Sequence, residues 1–151
     1  MSKRGVCAPF LHGMYMEKFT QAMSAQDVNR ISMLGLAHVG DAVYELLVRT
    51  SLCNQGHCAV KQLHRLTVDK VKAPSQARAA ELIVPQLSEE ELGIYRRARN
   101  AKVNSVPHNA QLSEYHAATG LEALFGWLWL LGRTERIAEL FSLIQEADNA
   151  T

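Results

Sequence analysis

The chain has little that would build strands. Val and Ile together number 16 among 151 residues, against 38 Leu and Ala. β-branched residues favour strands, whereas Leu and Ala favour helices, so an all-α fold is expected. Nine Gly and four Pro give little punctuation and exclude collagen-like and low-complexity classes. Cys7, Cys53 and Cys58 are too few, and odd in number, for a disulfide framework. His57 between the last two does not make a four-ligand zinc spacing. Reduced thiols in a cytoplasmic protein are expected. The formal charge of +1 excludes a strongly basic, histone-like binder. The longest apolar run, Ala123 to Leu131, has nine residues, whereas a membrane span needs about 20. Lys3 and Arg4 are not followed by a sustained apolar stretch, so no signal peptide is expected.

What is present reads as one domain of helices. Residues 1–24 have no clear period and are expected to be a partly disordered extension, with the domain over 25–151. From Asp27 to Cys53, apolar Leu36, Val39, Val43 and Leu47 recur at helical steps, and Gly56 closes the segment. Ala59 to Val71 is the next expected helix, and Pro74 breaks it or starts another over Ser75 to Leu87, with Pro85 fraying or kinking its end. Ser88 and Glu91 form a capping-box pattern for a helix reaching Ala101. Val103 to Leu112 reads as a loop, Ser113 to Leu131 as a long apolar helix stopped by Gly132, and Arg133 to Ala147 as an amphipathic helix. The Ala123–Leu131 segment is apolar around most of its circumference, which argues for burial against a second copy, with Gly126 allowing close approach. Trp127 and Trp129 suit core or dimer contact.

Charge is unevenly spread. Lys61, Arg65, Lys70, Lys72 and Arg78 face only Asp69 within residues 61–80, and Arg96, Arg97, Arg99 and Lys102 cluster after a run of Glu. Such clusters on a near-neutral chain suit anion docking or an ordinary solvated face. Two acids stand out instead for their apolar settings. Asp41 follows Gly40 in the middle of an apolar helix, with Glu45 one turn on and His38 one turn before. His38 reads as a packing histidine, with a supporting place behind Asp41 as the alternative. Glu122 lies in the most apolar stretch of the chain, with no further charge until Arg133. A buried acid needs an ion-pair partner or a metal. Asp41 is open to a nearby Arg, or the two acids together could hold Mg²⁺, which takes oxygen ligands and keeps waters.

These stretches, taken in order, resemble a known family. Leu36-Ala37-His38-Val39-Gly40-Asp41-Ala42-Val43-Tyr44-Glu45, Gln62-Leu63-His64, Arg96 to Lys102, Pro107-His108-Asn109-Ala110 and Tyr115 to Leu124 resemble the ribonuclease III catalytic domain. Their order and spacing are most similar to the Mini-III ribonucleases, short bacterial relatives without a double-stranded RNA-binding domain. The resemblance implies an all-α, homodimeric, Mg²⁺-dependent endoribonuclease on double-stranded RNA. It implies Asp41 and Glu122 as catalytic metal ligands, with Glu45 at longer range. Arg96, Arg97, Arg99, Asn100 and Lys102 become phosphate contacts, and the loop with Asn104, His108 and Asn109 a source of selectivity. It further implies rRNA binding and the maturation of large-subunit ribosomal RNA precursors, within ribosome biogenesis. The longer ribonuclease III enzymes carry further acids where this chain has Leu34, Ala37 and Thr119, a reduction typical of Mini-III, and Ala98 replaces the family's usual Gly. The alternatives are a catalytically silent RNA-binding scaffold on the same fold and a helical protein-interaction module.

Overall fold

The computed structural model describes residues 22–57, 59–102, 105 and 111–150. Those residues form helices α1 (Ala25–Val28), α2 (Met33–Asn54), α3 (Val60–Val71), α4 (Ala73–Ile83), α5 (Glu89–Arg99), α6 (Leu112–Leu130) and α7 (Thr134–Asn149), with a 3₁₀ turn at Val84–Gln86. No strand occurs among the described residues. The expected extension at residues 1–24 lies almost wholly outside them.

Helix α6 is the axis of the fold. From Ala118 to Leu128 it is buried apart from Glu122, and Leu121, Ala123, Leu124, Phe125 and Leu128 are fully enclosed. A helix apolar on all sides must be covered on all sides. Helices α2, α4 and α5 supply most of that cover, with α7 closing one end. The single chain therefore buries what the sequence pattern assigns to a second copy, and only Trp129, 42% exposed, stays largely open. Tyr44 on α2 ties three helices together by edge-on ring contacts, 5.4 Å to Phe125 and 5.9 Å to Phe141.

Helices α2 and α6 meet at glycines. A Cβ on Gly40 would fall on the Glu122 carbonyl, and one on Gly126 would fall on the Leu36 carbonyl. Gly126 is thus spent within the chain, not on a partner copy. The contact also explains a glycine in the middle of α2, where it otherwise costs about 1 kcal/mol relative to Ala.

Local signals set most boundaries. Ser32 caps α2 by accepting from the Gly35 N–H, so the long helix starts at Met33 and a separate short turn, α1, is capped by Ser24. The apolar period alone merges the two, because Leu36 and Val39 carry it forward without marking the break. Pro74 stands in the first turn of α4, where its missing N–H costs nothing. Pro85 tightens the next segment into the 3₁₀ turn. The capping box forms as expected: Ser88 N–H donates to Glu91 Oε2 at 2.9 Å, and Glu91 N–H donates to Ser88 Oγ at 3.2 Å. Gly132, at φ +71°, ends α6, with the Arg133 N–H reaching back to the Leu128 carbonyl at 2.9 Å.

Candidate active site

Asp41 and Glu122 come from two helices that cross at their backbones. The Gly40 contact brings the residue before Asp41 directly against the Glu122 carbonyl. Both acids line one open cleft of about 340 Å³, with His38 from α2, Tyr115 and Thr119 from α6, and Ser105. Leu34 and Ala37 line it too. Leu34, Ala37 and Thr119 thus give this cleft an apolar side chain, a methyl group and a hydroxyl. The Thr119 hydroxyl donates to the Tyr115 carbonyl of its own helix at 3.0 Å.

The two acids differ in setting. Asp41 is exposed, whereas Glu122 is half-buried. Burial, then the nearby charge of Asp41, push the Glu122 carboxyl up from its ordinary 4.5 to about 7, against a lesser pull from the Gln76 amide. Neither acid makes an ion pair among the described residues, so Asp41 does not take the Arg partner that one reading of the sequence offers it. Glu45 does not join them. Its carboxylate takes Arg49 on the next turn, with Nε donating at 2.9 Å, and it is absent from the cleft wall. His38 is exposed and lines the cleft, so it is not the packing histidine expected from its helix. A three-residue step along α2 puts it on the Asp41 side, as the alternative reading of its spacing has it.

The donor set suits a hard cation. Two carboxylates converge on a solvent-open cleft with room for water, as Mg²⁺ prefers. Among the described residues no group of three or more His, Cys, Asp or Glu is arranged so that all could hold one ion, so the protein's contribution here is the two carboxylates. Glu122 and Asp41 repel each other when both are ionised, and a divalent cation between them would relieve that repulsion.

Basic residues gather at the end of α5. Arg96, Arg97 and Arg99 occupy its last turn and are exposed, as are Asn100 and Lys102. None of the four cations forms an ion pair among the described residues. The other basic stretch behaves differently: Lys70 pairs with Asp148 at 2.6 Å and Lys72 with Asp69 at 3.1 Å. Arg99 and Asn100 share a polar cleft with Ser113 and His116 at the start of α6. Sequence pattern does not single out Ser113, which looks like an ordinary first-turn residue, and it marks His116 only as part of the Tyr115–Leu124 stretch, with no role of its own. Asn104, His108 and Asn109 lie outside the described residues. Cys53 is a free, exposed thiol.

Comparison with known proteins follows the same residues. Residues 34–133 match the model of the ribonuclease III domain. The chain belongs to the ribonuclease III family. A Mini-ribonuclease 3 of Thermoanaerobacter is 43% identical over 124 residues, covering 82% of this chain and 87% of the relative. The Mini-ribonuclease 3 of Clostridium tetani is 39% identical over 130 residues, covering 85% and 83%. A crystal structure of a Fusobacterium nucleatum protein superposes with a TM-score of 0.73 at 32% identity, covering 81% of this chain and 98% of that one. Within the family the chain stands with the Mini-ribonuclease 3 proteins and is a double-strand-specific endoribonuclease. No helix among the described residues is long and apolar enough to cross a membrane.

Proposed function

We propose that the chain is a Mg²⁺-dependent endoribonuclease whose metal is held by Asp41 and Glu122. Enzymes of this family use a divalent metal. The observation that carries the assignment is the convergence of two unpaired carboxylates, 81 positions apart in sequence, on one cleft. When bound, the cation would supply an activated water and neutralise charge on the scissile phosphate. The chain's own residues do the rest. Arg96, Arg97, Arg99 and Lys102 bind flanking phosphates, and Asn100 adds a neutral donor beside them. A-form duplexes offer phosphates, 2′-hydroxyls and shape, so these contacts read geometry rather than base sequence. His108 and Asn109 are assigned to the RNA contact as well, on the family resemblance of their segment.

The natural substrate in this reading is a large-subunit ribosomal RNA precursor in the cytoplasm, and the working unit is a homodimer. A dimer would bring two clefts to one duplex. Leu46, 59% exposed, and Trp129 line an apolar groove of about 480 Å³ between α2 and the start of α7, and a second copy would cover it. Sedimentation of the wild type and of Trp129→Glu at micromolar concentration tests the assembly. A fully active monomer would remove it from the mechanism.

The decisive experiment incubates purified protein with a long RNA duplex, with and without Mg²⁺. Mg²⁺-dependent cleavage of duplex but not of single-stranded RNA supports the proposal. Binding without cleavage would favour the silent scaffold, and neither would leave an interaction module.

A further inference from the structure

Two enclosed side-chain nitrogens among the described residues have no hydrogen-bond partner, Gln76 Nε2 and His116 Nδ1. The second belongs to a residue that lines a cleft. His116 and Ser113 at the start of α6 share with Arg99 and Asn100, at the end of α5, a polar cleft of about 470 Å³. Among the described residues no acid lines it. None of the four side chains makes a hydrogen bond or an ion pair among the described residues.

The His116 ring has one nitrogen enclosed and one free. A proton on Nδ1 would be a buried N–H with nothing to accept it, which folded proteins avoid more strictly than a bare lone pair. The neutral ring therefore carries its proton on Nε2. Nε2 is not among the enclosed unpartnered atoms, so it is the nitrogen left to the cleft. Tyr115 lies edge-on to the ring, with centroids 6.1 Å apart. Tyr115 also lines the cleft of Asp41 and Glu122. The two clefts are thus neighbours on α6, one lined from Ser113 and His116, the other from Tyr115, Thr119 and Glu122.

We propose that the cleft at His116 is a subsite for one backbone phosphate of the RNA strand. The His116 Nε2–H and the Ser113 hydroxyl donate from α6, while Arg99 and the Asn100 amide hold the phosphate from α5. The inference rests on the duplex-RNA reading above and adds two residues outside the basic cluster. What the four side chains share is the ability to donate, around one cation and no acid. A phosphate oxygen only accepts and carries negative charge, so it answers all four. A 2′-hydroxyl has a proton of its own to place and no charge for Arg99 to meet. Helix α6 also carries Glu122, six positions from His116 and about 9 Å further along the helix axis. A phosphate held here would anchor the strand to the same helix that bears the acid of the candidate active site.

The test measures binding of a short RNA duplex to metal-free protein, so that nothing is cut. His116→Phe keeps a ring and removes the donor, and His116→Gln restores an N–H at nearly the same reach. Binding by His116→Phe should be roughly tenfold weaker, as for the loss of a hydrogen bond to a charged group, and His116→Gln should recover most of it. The slope of log affinity against log salt should keep its wild-type value in His116→Phe, because a neutral donor releases no counterion, and should fall by about one in Arg99→Ala. A duplex with 2′-fluoro in place of every 2′-hydroxyl keeps its phosphates, and His116→Phe should lose the same factor on it. The melting temperature of His116→Phe should hold or rise, since an unpartnered buried nitrogen is gone. Wild-type affinity in His116→Phe would overturn the proposal, and so would equal losses in the Phe and Gln variants, which would make the ring a packing group. A loss seen with RNA but not with the 2′-fluoro duplex would overturn it too and give His116 to a 2′-hydroxyl. If His116→Phe does not fold, Ser113→Ala, which removes only an exposed hydroxyl, should weaken binding by about threefold. Unchanged affinity there overturns the proposal equally. A wild type that binds no duplex RNA fails the RNA reading itself and takes this inference with it. Loss in the triple Arg96, Arg97 and Arg99 variant beside wild-type binding in His116→Phe overturns the inference alone.

Discussion

Two acids of this chain are withdrawn from water in opposite ways. Glu91, buried at the start of α5, is matched on every side. Arg136 of α7 donates to it from Nε at 2.9 Å and from Nη2 at 3.0 Å, and the Ser88 N–H completes the set. Its pKa is lowered, chiefly by the Arg136 hydrogen bonds. Glu122, half-buried in α6, has no cation paired with it among the described residues, and burial first, then the nearby charge of Asp41, raises its pKa. The first arrangement holds the fold, joining α5 to α7. The second is a defect of the fold unless a ligand answers it. The same division runs along α5 itself: Glu90 and Glu91 of its first turn are paired with Arg133 and Arg136, while the Arg side chains of its last turn have no ion pair among the described residues. The paired charges at the start of α5 hold helices together, and the unpaired ones at its end are those the proposed function gives to the substrate.

The largest expected effect tests that division directly. Glu122→Gln or Asp41→Asn should lower cleavage of duplex RNA by roughly 10³-fold or more, because the proposed metal site would lose half its carboxylate charge. The melting temperature should hold or rise, since an uncompensated acid is gone. Glu91→Gln should do the reverse. It leaves Arg136 beside an amide and should cost about 2–3 kcal/mol of stability, with cleavage retained at temperatures where the fold survives. Cleavage assays and urea melts on the three variants are sufficient. A Glu122→Gln protein that cuts like the wild type would collapse the contrast.

The pH dependence of stability sharpens it. For metal-free protein, the folded state keeps the Glu122 proton up to about 7, while the unfolded chain releases it near 4.5. Between those values the folded state binds more protons, so stability falls as pH rises, by on the order of 3 kcal/mol. Glu91, with its lowered pKa, contributes in the opposite sense: its stabilisation is present above 4.5 and is lost as pH drops below that value. Urea melts across this range should show the fall from 4.5 to 7 in the wild type and lose it in Glu122→Gln. A fall that survives the substitution belongs to another group.

How much of this could be read in the sequence depends on how local each cause is. The capping box at Ser88 and Glu91 and the Gly132 stop are short-range signals, and both appear where the residues place them. Asp41 and Glu122 are legible as acids in apolar helices, and the crossing at Gly40 brings them to one cleft. What the sequence conceals depends on the third dimension. Arg136 lies 45 positions from Glu91, and no pattern links them. His116 is one more polar residue near a helix start until α5 brings Arg99 to the same cleft. The apolar surface of α6 is visible, but not that α2, α4 and α5 cover it within one chain.

A smaller effect is expected at the unpaired end of α5. Changing Arg96, Arg97 and Arg99 together to Ala should weaken duplex binding about equally for unrelated sequences. The plot of log affinity against log salt should flatten by roughly one unit for each phosphate that these arginines no longer neutralise. Binding titrations at several salt concentrations measure this. An unchanged slope would make these arginines an ordinary solvated face, like the paired lysines of α3.

The smallest effect is expected at Gly93, and it is set against the large one at Gly40, a glycine held by contact. Both Gly40 and Gly93 lie inside helices. At Gly40 a Cβ meets the Glu122 backbone, so Gly40→Ala forces α2 and α6 apart and should cost about 3 kcal/mol or more, with cleavage abolished alongside. At Gly93, in the middle of α5, a Cβ meets nothing within 4 Å. Gly93→Ala should therefore stabilise the protein by about 0.5–1 kcal/mol, since alanine loses less backbone freedom on folding. Cleavage and Mg²⁺ requirement should not change, because α5 keeps both its Glu91 anchor and its terminal arginines. Thermal melts of the two variants side by side decide the matter. A destabilised Gly93→Ala would mean that the middle of α5 is covered in solution by a surface that the described residues do not supply.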